Sequence, residues 1–344
     1  MRMHLLYENT ILENKMTDLM NTRLNARAFM TVDDSLTESA GLRKTVNRYT
    51  YSGKVEQLGR GEANTSKGTV IYTPEHYDVK RYQQTFEYND IDVLQDPYLI
   101  DVAMTGAAVV MANQINDEYF EELKKISGRH ALAGDTFTYN DVVDALATLG
   151  REVENDLFIL MSTQARADIR KDPDFVAAKQ GEILYSGQFG TICGIPVIYS
   201  KKVPEGKMIL TNKSAVRFFV KKEATLEQDK NIETKNNTVV YERHGLIALV
   251  DDTASVILGV SADELNLTMT AEAGECRISV GEALTEGNTY RVGVGAPTPF
   301  KNDDLSAWPV WDGEAIEAEA GETIVIAECD GDGRCLKCGM AIAS

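Results

Sequence analysis

The hydrophobic pattern of the chain changes period several times, and each change predicts an element. Residues 45–58 and 69–88 are rich in Val, Thr, Tyr and Ile with partial alternation, the mark of half-buried strands. Between them lies Gly59–Gly68, a polar stretch with a glycine at each end. The three segments predict one long hairpin. Asp96 then offers a side-chain cap and Pro97 a first-turn residue, and a helical pattern runs to about Ile126, where Ser127-Gly128 stops it. At about 1.5 Å per residue that helix spans roughly 45 Å. Before the hairpin, Ile11, Leu12, Met16, Leu19, Met20 and Leu24 recur near helical spacing and predict an amphipathic helix over 7–28, with a polar arm or linker over 31–40.

Beyond the long helix the periods alternate irregularly. Residues 137–150 read as a helix opened by Tyr139-Asn140-Asp141, 156–162 as a short buried strand, and 164–171 as a helix that ends at Asp172-Pro173. Residues 190–200 read as strand, turn, strand; Val203–Gly206 is a turn, 207–211 a strand, and 238–259 two β-rich runs. No βαβ repeat is present, so the body is a mixed α+β fold. From 261 onward only short strands remain, at 265–271, 276–280, 289–295, 323–329 and 334–343, punctuated by Gly, Asn and Asp.

Composition sharpens that last boundary. The chain has 344 residues and a net charge of −18, from 35 basic and 53 acidic residues. Residues 261–344 alone hold 16 Asp/Glu and 5 Lys/Arg, together with four of the five cysteines and both tryptophans. A main body with a small, acidic, all-β C-terminal domain is therefore expected. Such an acidic chain lacks the clustered cations that neutralise phosphates, which argues against sequence-specific DNA binding. No run of eighteen apolar residues predicts a membrane span, and the first residues carry no signal-peptide core.

Chemical signatures are sparse. There is no phosphate-binding loop with a Lys-Ser/Thr ending, and neither Gly59-Arg60-Gly61 nor the Gly293/Gly295 pair has the third glycine and helix of a dinucleotide site. His4, His76, His130 and His244 show no metal-ligand spacing; His130 or His244 as a base stands against the plainer reading of surface or strand histidines. Asp251-Asp252 and Asp303-Asp304 read as turns rather than cation sites, and no nucleophile triad announces itself. An enzyme is unsupported: the reading has no catalytic residue, no cofactor and no metal site. Cys276, Cys329, Cys335 and Cys338 leave three readings open, a zinc site, a disulfide or plain thiols, with a single CxxC knuckle and a hairpin-like Asp330–Gly333 weighing toward thiols. Trp308 and Trp311 read as core anchors before a ligand-stacking pair.

The order of elements then carries a resemblance. An arm, a long hairpin and a long helix opened by Asp-Pro lead into NDLFILMSTQARADIRK (155–171), then Gly194-Ile195-Pro196-Val197, Val203-Pro204-Glu205-Gly206 and the strands of 238–259. Over roughly 1–260 this resembles the major capsid protein of tailed bacteriophages, the Hong Kong 97-type fold. The resemblance implies an N-terminal arm (1–42), an extended loop (43–76) lying on a neighbouring subunit, and a peripheral domain (77–129 and 236–260) with a spine helix at 97–126. It further implies an axial domain (130–235), leaving 261–344 as an extra decoration-like β domain. The implied function is a structural shell, icosahedral or prolate, enclosing double-stranded DNA in the virion after assembly in the host cytoplasm. Its partners would be further copies in pentamers and hexamers, with separate scaffolding, portal and decoration proteins. Barely 40 residues precede the hairpin, so no N-terminal maturation cleavage is expected. Two other classes remain: an encapsulin-type compartment with enzyme cargo, and an unrelated surface or binding protein with a terminal β module.

Overall fold

A computed structural model of the chain describes residues 26–38, 41–60, 62–151, 156–173, 190–272, 275–318 and 321–343. Most of the expected 7–28 helix lies outside the described residues, as does the side chain of Cys276. In chain order, β1 (Thr31–Asp33) precedes the paired β2 (Arg43–Ser52) and β3 (Thr69–Asp78), and then β4 (Lys80–Asn89). Helices α1 (Asp90–Gln95) and α2 (Leu99–Leu123) follow. Next come β5 (Arg129–Ala131), α3 (Tyr139–Leu149), β6 (Leu157–Met161), α4 (Thr163–Lys171), β7 (Thr191–Ile192), β8 (Ile195–Tyr199) and β9 (Lys207–Asn212). Two long strands, β10 (Val216–Lys230) and β11 (Asn236–Leu249), are followed by β12 (Val256–Gly259). The remainder is strand only: β13 (Asp263–Glu264), β14 (Leu267–Glu272), β15 (Glu275–Val280), β16 (Thr289–Val294), β17 (Ile316–Glu317), β18 (Thr323–Cys329) and β19 (Cys335–Ile342).

The chain folds into two compact units, one of residues 1–125 with 212–254, the other of 126–211 with 255–344. The first is built on a four-stranded sheet in the order β1-β10-β11-β4. One face of α2 lies on it, burying Ile100, Met104, Met111, Ile115, Tyr119 and Leu123 at the spacing of a helix stripe. On a separate cluster Val46 and Tyr77, at the foot of the β2–β3 hairpin, meet Leu36, Phe219, Leu246 and Ala248. The hairpin is thus held at its base by apolar burial.

The second unit contains the six-stranded sheet β5-β12-β9-β6-β8-β7. Every residue of β6 is buried, as its unbroken apolar run requires of a central strand. Helices α3 and α4 end as their sequences dictate. Thr138 and Asp141 form a reciprocal capping box, Gly150 closes α3 at φ +58°, and Ser162 caps α4 by accepting from the Ala165 N–H. Between β7 and β8 the two-residue turn Cys193-Gly194 has positive φ at both positions, the geometry whose twist matches a hairpin.

The C-terminal strands form two further sheets, β13-β19-β18-β16 and β14-β15-β17. Leu265, Ile278, Trp311, Ile316, Ile324 and Ile326 share one core, and Leu305, Ala327, Cys329 and Cys335 a second. Gly293 is required here by close approach: a Cβ would stand 2.7 Å from the Trp308 ring. Phe300 reaches back to the six-stranded sheet, covering Gly259 and lying under Arg129 and Lys207, while Lys207 pairs with Asp303.

Three stretches differ in detail from the expected layout. The stretch 212–235, placed with the axial domain, is mostly β10, which pairs along its length with β11 and belongs to the first unit. Residues 255–260, placed with the peripheral domain, supply β12, which lies between β5 and β9 in the second unit's sheet. Asp96 caps the turn that leads into the long helix, its carboxylate accepting from the Tyr98 N–H and its carbonyl from the Leu99 N–H, while the regular helix α2 begins at Leu99, two residues later than expected, after the separate helix α1.

Candidate assembly surfaces

The hairpin is the most exposed element of the first unit. Its ladder pairs Arg43 with Asp78 at the foot and Ser52 with Thr69 at the far end. Ten residues of strand rise about 30 Å. Beyond Val46 and Tyr77 it has no core of its own: Tyr49, Tyr51, Val70, Ile71 and Tyr72 are all at least 57% exposed. Tyr49 and Tyr72 face each other across the ladder with ring centroids 6.4 Å apart. Five large apolar or aromatic side chains on a bare two-stranded ribbon form a surface that water does not favour.

Past the ladder, the tip is ordered by its own polar side chains. The Glu56 carboxylate accepts from the Thr65 N–H at 2.9 Å and from its hydroxyl at 2.8 Å, and these bonds hold Glu56 below the usual carboxylate range. Glu62 accepts from the Gly59 N–H at 2.7 Å. The polar loop is longer than the expected Gly59–Gly68: the first strand stops at Ser52, so 53–58, expected as strand, belongs to the loop.

An ionic network fixes the hairpin's foot to the end of α2. Lys125 lies 2.9 Å from both Glu75 and Glu122, Arg48 bridges Glu75 at 3.4 Å and Asp252 at 3.8 Å, and the Tyr77 hydroxyl donates to Glu122 at 2.9 Å. Burial works to raise Glu75, but the bond and charge of Lys125 and the charge of Arg48 outweigh it and hold the carboxyl low. Burial, with the Glu122 charge and bond, pushes the Tyr77 phenol far up, so Tyr77 serves only as a neutral donor. The arrangement can set an angle; it presents no nucleophile or base to a substrate.

The residues singled out for chemistry stay apart. His76 shares a bond with Thr45 on the hairpin, His130 sits in β5, and His244 stands 3.6 Å from Glu242 in the first unit's sheet, while His4 lies outside the described residues. Among the described residues no group of three or more His, Cys, Asp or Glu is gathered as for a metal ion. Cys329 and Cys335 are buried register partners in the β18–β19 hairpin and Cys338 is half-buried beside them, all three as free thiols. Trp311 is a core residue whose indole N–H donates to the Glu314 carbonyl at 2.8 Å, with Tyr290 against it; Trp308 covers Gly293. Asp251 turns back on Thr253, and Asp303 accepts from the Phe300 N–H. Two features went unread in the sequence. The foot network joins residues far apart along the chain, and the 15-residue β10 has mixed polarity because only part of it is buried.

Solved structures of particle shells share this fold. The capsid of a native GTA particle matches with a TM-score of 0.58 at 13% identity, covering 69% of this chain and 90% of that one. The capsid of cyanophage P-SCSP1u matches at 0.52 and 12% identity, over 67% and 86%. A virus-like particle from Pyrococcus furiosus matches at 0.52 and 13%, over 74% and 100%. In sequence, the chain is 21% identical over 271 residues to the major capsid protein of Staphylococcus phage phiMR11, covering 75% of this chain and 97% of that protein. The family model for phage capsid protein matches residues 72–258, more than half of the chain, and the chain belongs to that family. It is a structural capsid protein, a subunit of a multi-subunit shell in the virion. No helix among the described residues is long and apolar enough to cross a membrane.

Proposed function

We propose that this subunit builds the head of a tailed phage, in pentamers and hexamers, around double-stranded DNA, and that its hairpin is the element through which copies grip one another. The observation that carries this is the five exposed side chains of the 49–51 and 70–72 ladder, which have no partner surface within the described hairpin. A second copy is the partner symmetry supplies, because head-to-tail contacts between identical chains close into rings. In this reading 43–78 is the extended loop, α2 the spine, and the units of 1–125 with 212–254 and 126–211 with 255–260 the peripheral and axial parts. Residues 261–344 are a decoration-like module facing solvent. Their net −11 would be repelled hundreds of times over by a packaged genome, whereas outside it aids colloidal stability. Scaffolding and portal are separate proteins, assembly takes place in the host cytoplasm, and the subunit does no catalysis and binds DNA without sequence preference.

Deleting Gly59–Gly68 tests the gripping role. The shortened chain is expected to stay folded and soluble by circular dichroism but to give no closed particles in negative-stain images where the intact chain does. Normal closed particles from the deletion would overturn it. The likeness to the Pyrococcus furiosus virus-like particle keeps a second reading in view, a compartment around protein cargo. Purified particles holding a DNA genome support the first reading, and particles holding an enzyme the second.

A further inference from the structure

The shell reading gives no role to Cys335-Leu336-Lys337-Cys338, and the fold brings its two cysteines together in a way the spacing alone does not. In a regular strand, residues three apart point to opposite faces. β19 is not regular here. Glu328 pairs with Lys337 but Cys329 with Cys335, so the ladder advances one position on β18 and two on β19, and Leu336 is the extra residue of a bulge. The bulge turns Cys335 onto the face of Cys338. The two then stand opposite alternate residues of β18, Cys335 across from Cys329 and Cys338 across from Ala327. All four belong to one cluster with Leu305 and Trp308.

Two ladder steps separate Cα atoms by about 6.6 Å, and by less where a bulge tightens the twist. That falls within the roughly 4.4–6.8 Å that a disulfide spans. The sulfurs are already in contact: the Cys335 S–H donates to Cys338, which holds Cys338 low and, with burial, drives Cys335 up. Cys335 is 0% exposed, while Cys338 is partly open to solvent. One thiol is reached from outside and the other waits behind it.

We propose that Cys338 and Cys335 are an oxidisable pair: a peroxide arriving from solvent is reduced at Cys338, and Cys335 then closes a disulfide within β19. In the first step Cys338 gives up its proton and its sulfur attacks one peroxide oxygen. The O–O bond breaks, hydroxide leaves and takes the proton as water, and Cys338 becomes a sulfenic acid. In the second step the Cys335 sulfur, losing its own proton, attacks the Cys338 sulfur. The S–O bond breaks, a second water leaves and the S–S bond forms. Two thiols are oxidised by two electrons in all, and one peroxide is reduced to two waters. Cys329 faces Cys335 across the ladder but is left out. It is 0% exposed, so no oxidant meets it first, and burial pushes it up to about 11, which leaves little thiolate to exchange into the new bond. The bond fastens the bulge of the last strand. Its timing, after release from a reducing host cytoplasm, rests on the head reading above; the bond itself does not.

The test uses the purified full chain. It is treated with one equivalent of hydrogen peroxide, the remaining thiols are blocked with N-ethylmaleimide, and trypsin digestion follows without reductant. Cleavage after Arg334 and Lys337 places Cys329, Cys335 and Cys338 in three separate peptides. Mass spectrometry is expected to find the 335–337 peptide joined to the one that begins at Cys338, about tenfold or more above any link to the Cys329 peptide. Dithiothreitol is expected to restore both thiols. Cys338→Ser should slow the loss of the Cys335 thiol about tenfold or more, because the reachable thiolate is gone, while Cys329→Ser should leave it unchanged. In Cys335→Ser, dimedone should trap a sulfenic acid on Cys338. A predominant link through Cys329, an overoxidised Cys338 beside an intact Cys335 thiol, or undiminished loss of Cys335 in Cys338→Ser would each overturn the proposal. The map is read on the subunit itself, so its failure is distinct from any failure to form particles around DNA.

Discussion

At the residue scale, glycine and cysteine chemistry in the C-terminal strands makes the sharpest expectations. Gly293→Ala places a methyl 2.7 Å from the Trp308 ring, and overpacking of this kind costs about 1–3 kcal/mol. The midpoint of denaturant unfolding should fall accordingly, and Trp308→Phe should restore part of the loss by making room. The three neighbouring thiols should react unequally. Burial pushes Cys329 up to about 11, and Cys335 is raised further by its bond to Cys338 and by burial, whereas that same bond lowers Cys338, which is also the one partly open to solvent. Thiolates are the reactive form. Brief alkylation of the native protein, mapped by mass spectrometry, should therefore label Cys338 well ahead of Cys329 and Cys335. Equal labelling would show that the β18–β19 hairpin opens readily.

At the element scale, the foot of the hairpin is a polar hinge on an apolar pivot. Val46 and Tyr77 fix where the ribbon leaves the sheet, and Arg48, Glu75, Glu122 and Lys125 fix its angle. Its pH response follows from the sign of the shifts. Glu75 is held below its unfolded value in the folded chain, as are Glu242 beside Lys222 and Arg81 and Asp90 beside Lys230. Carboxylates of this kind contribute stability that is complete above their unfolded values, 4.5 for Glu and 3.8 for Asp, and lost as the pH falls through the folded ones. The melting temperature should stay level from neutral pH down to about 5 and then drop. Glu75→Gln should lower it at neutral pH while making the acid decline shallower. A parallel decline in both proteins would remove Glu75 from the account.

At the scale of the whole molecule, the question is how far the C-terminal strands stand apart. They have two cores of their own, which favours a module that folds on its own terms. They are also tied to the six-stranded sheet through Phe300 on Gly259 and Lys207 to Asp303. Truncation after Val260 should leave shells of nearly the same diameter by electron microscopy, less resistant to heat because Arg129 and Lys207 lose their cover. Phe300→Ala in the intact chain should reproduce part of that heat sensitivity, since removing a buried Phe side chain costs about 3–5 kcal/mol. Insoluble or open-sheet products from the truncation would show that the strands are integral to the shell.

Much of this was legible in the chain alone, for a physical reason: local elements are written in local patterns. The hairpin with its polar tip, the long helix, the all-apolar β6, the helices α3 and α4 and the late strands each depend on neighbours within a few positions, so period and turn chemistry define them. What only the tertiary structure decided are the pairings between distant segments. That β1 pairs with β10 and β4 with β11, that β12 joins the sheet of β6 and β9, and that Glu75 meets Lys125 depend on contacts whose partners lie tens of positions to well over a hundred away. Sequence periodicity carries no record of which distant surface covers which.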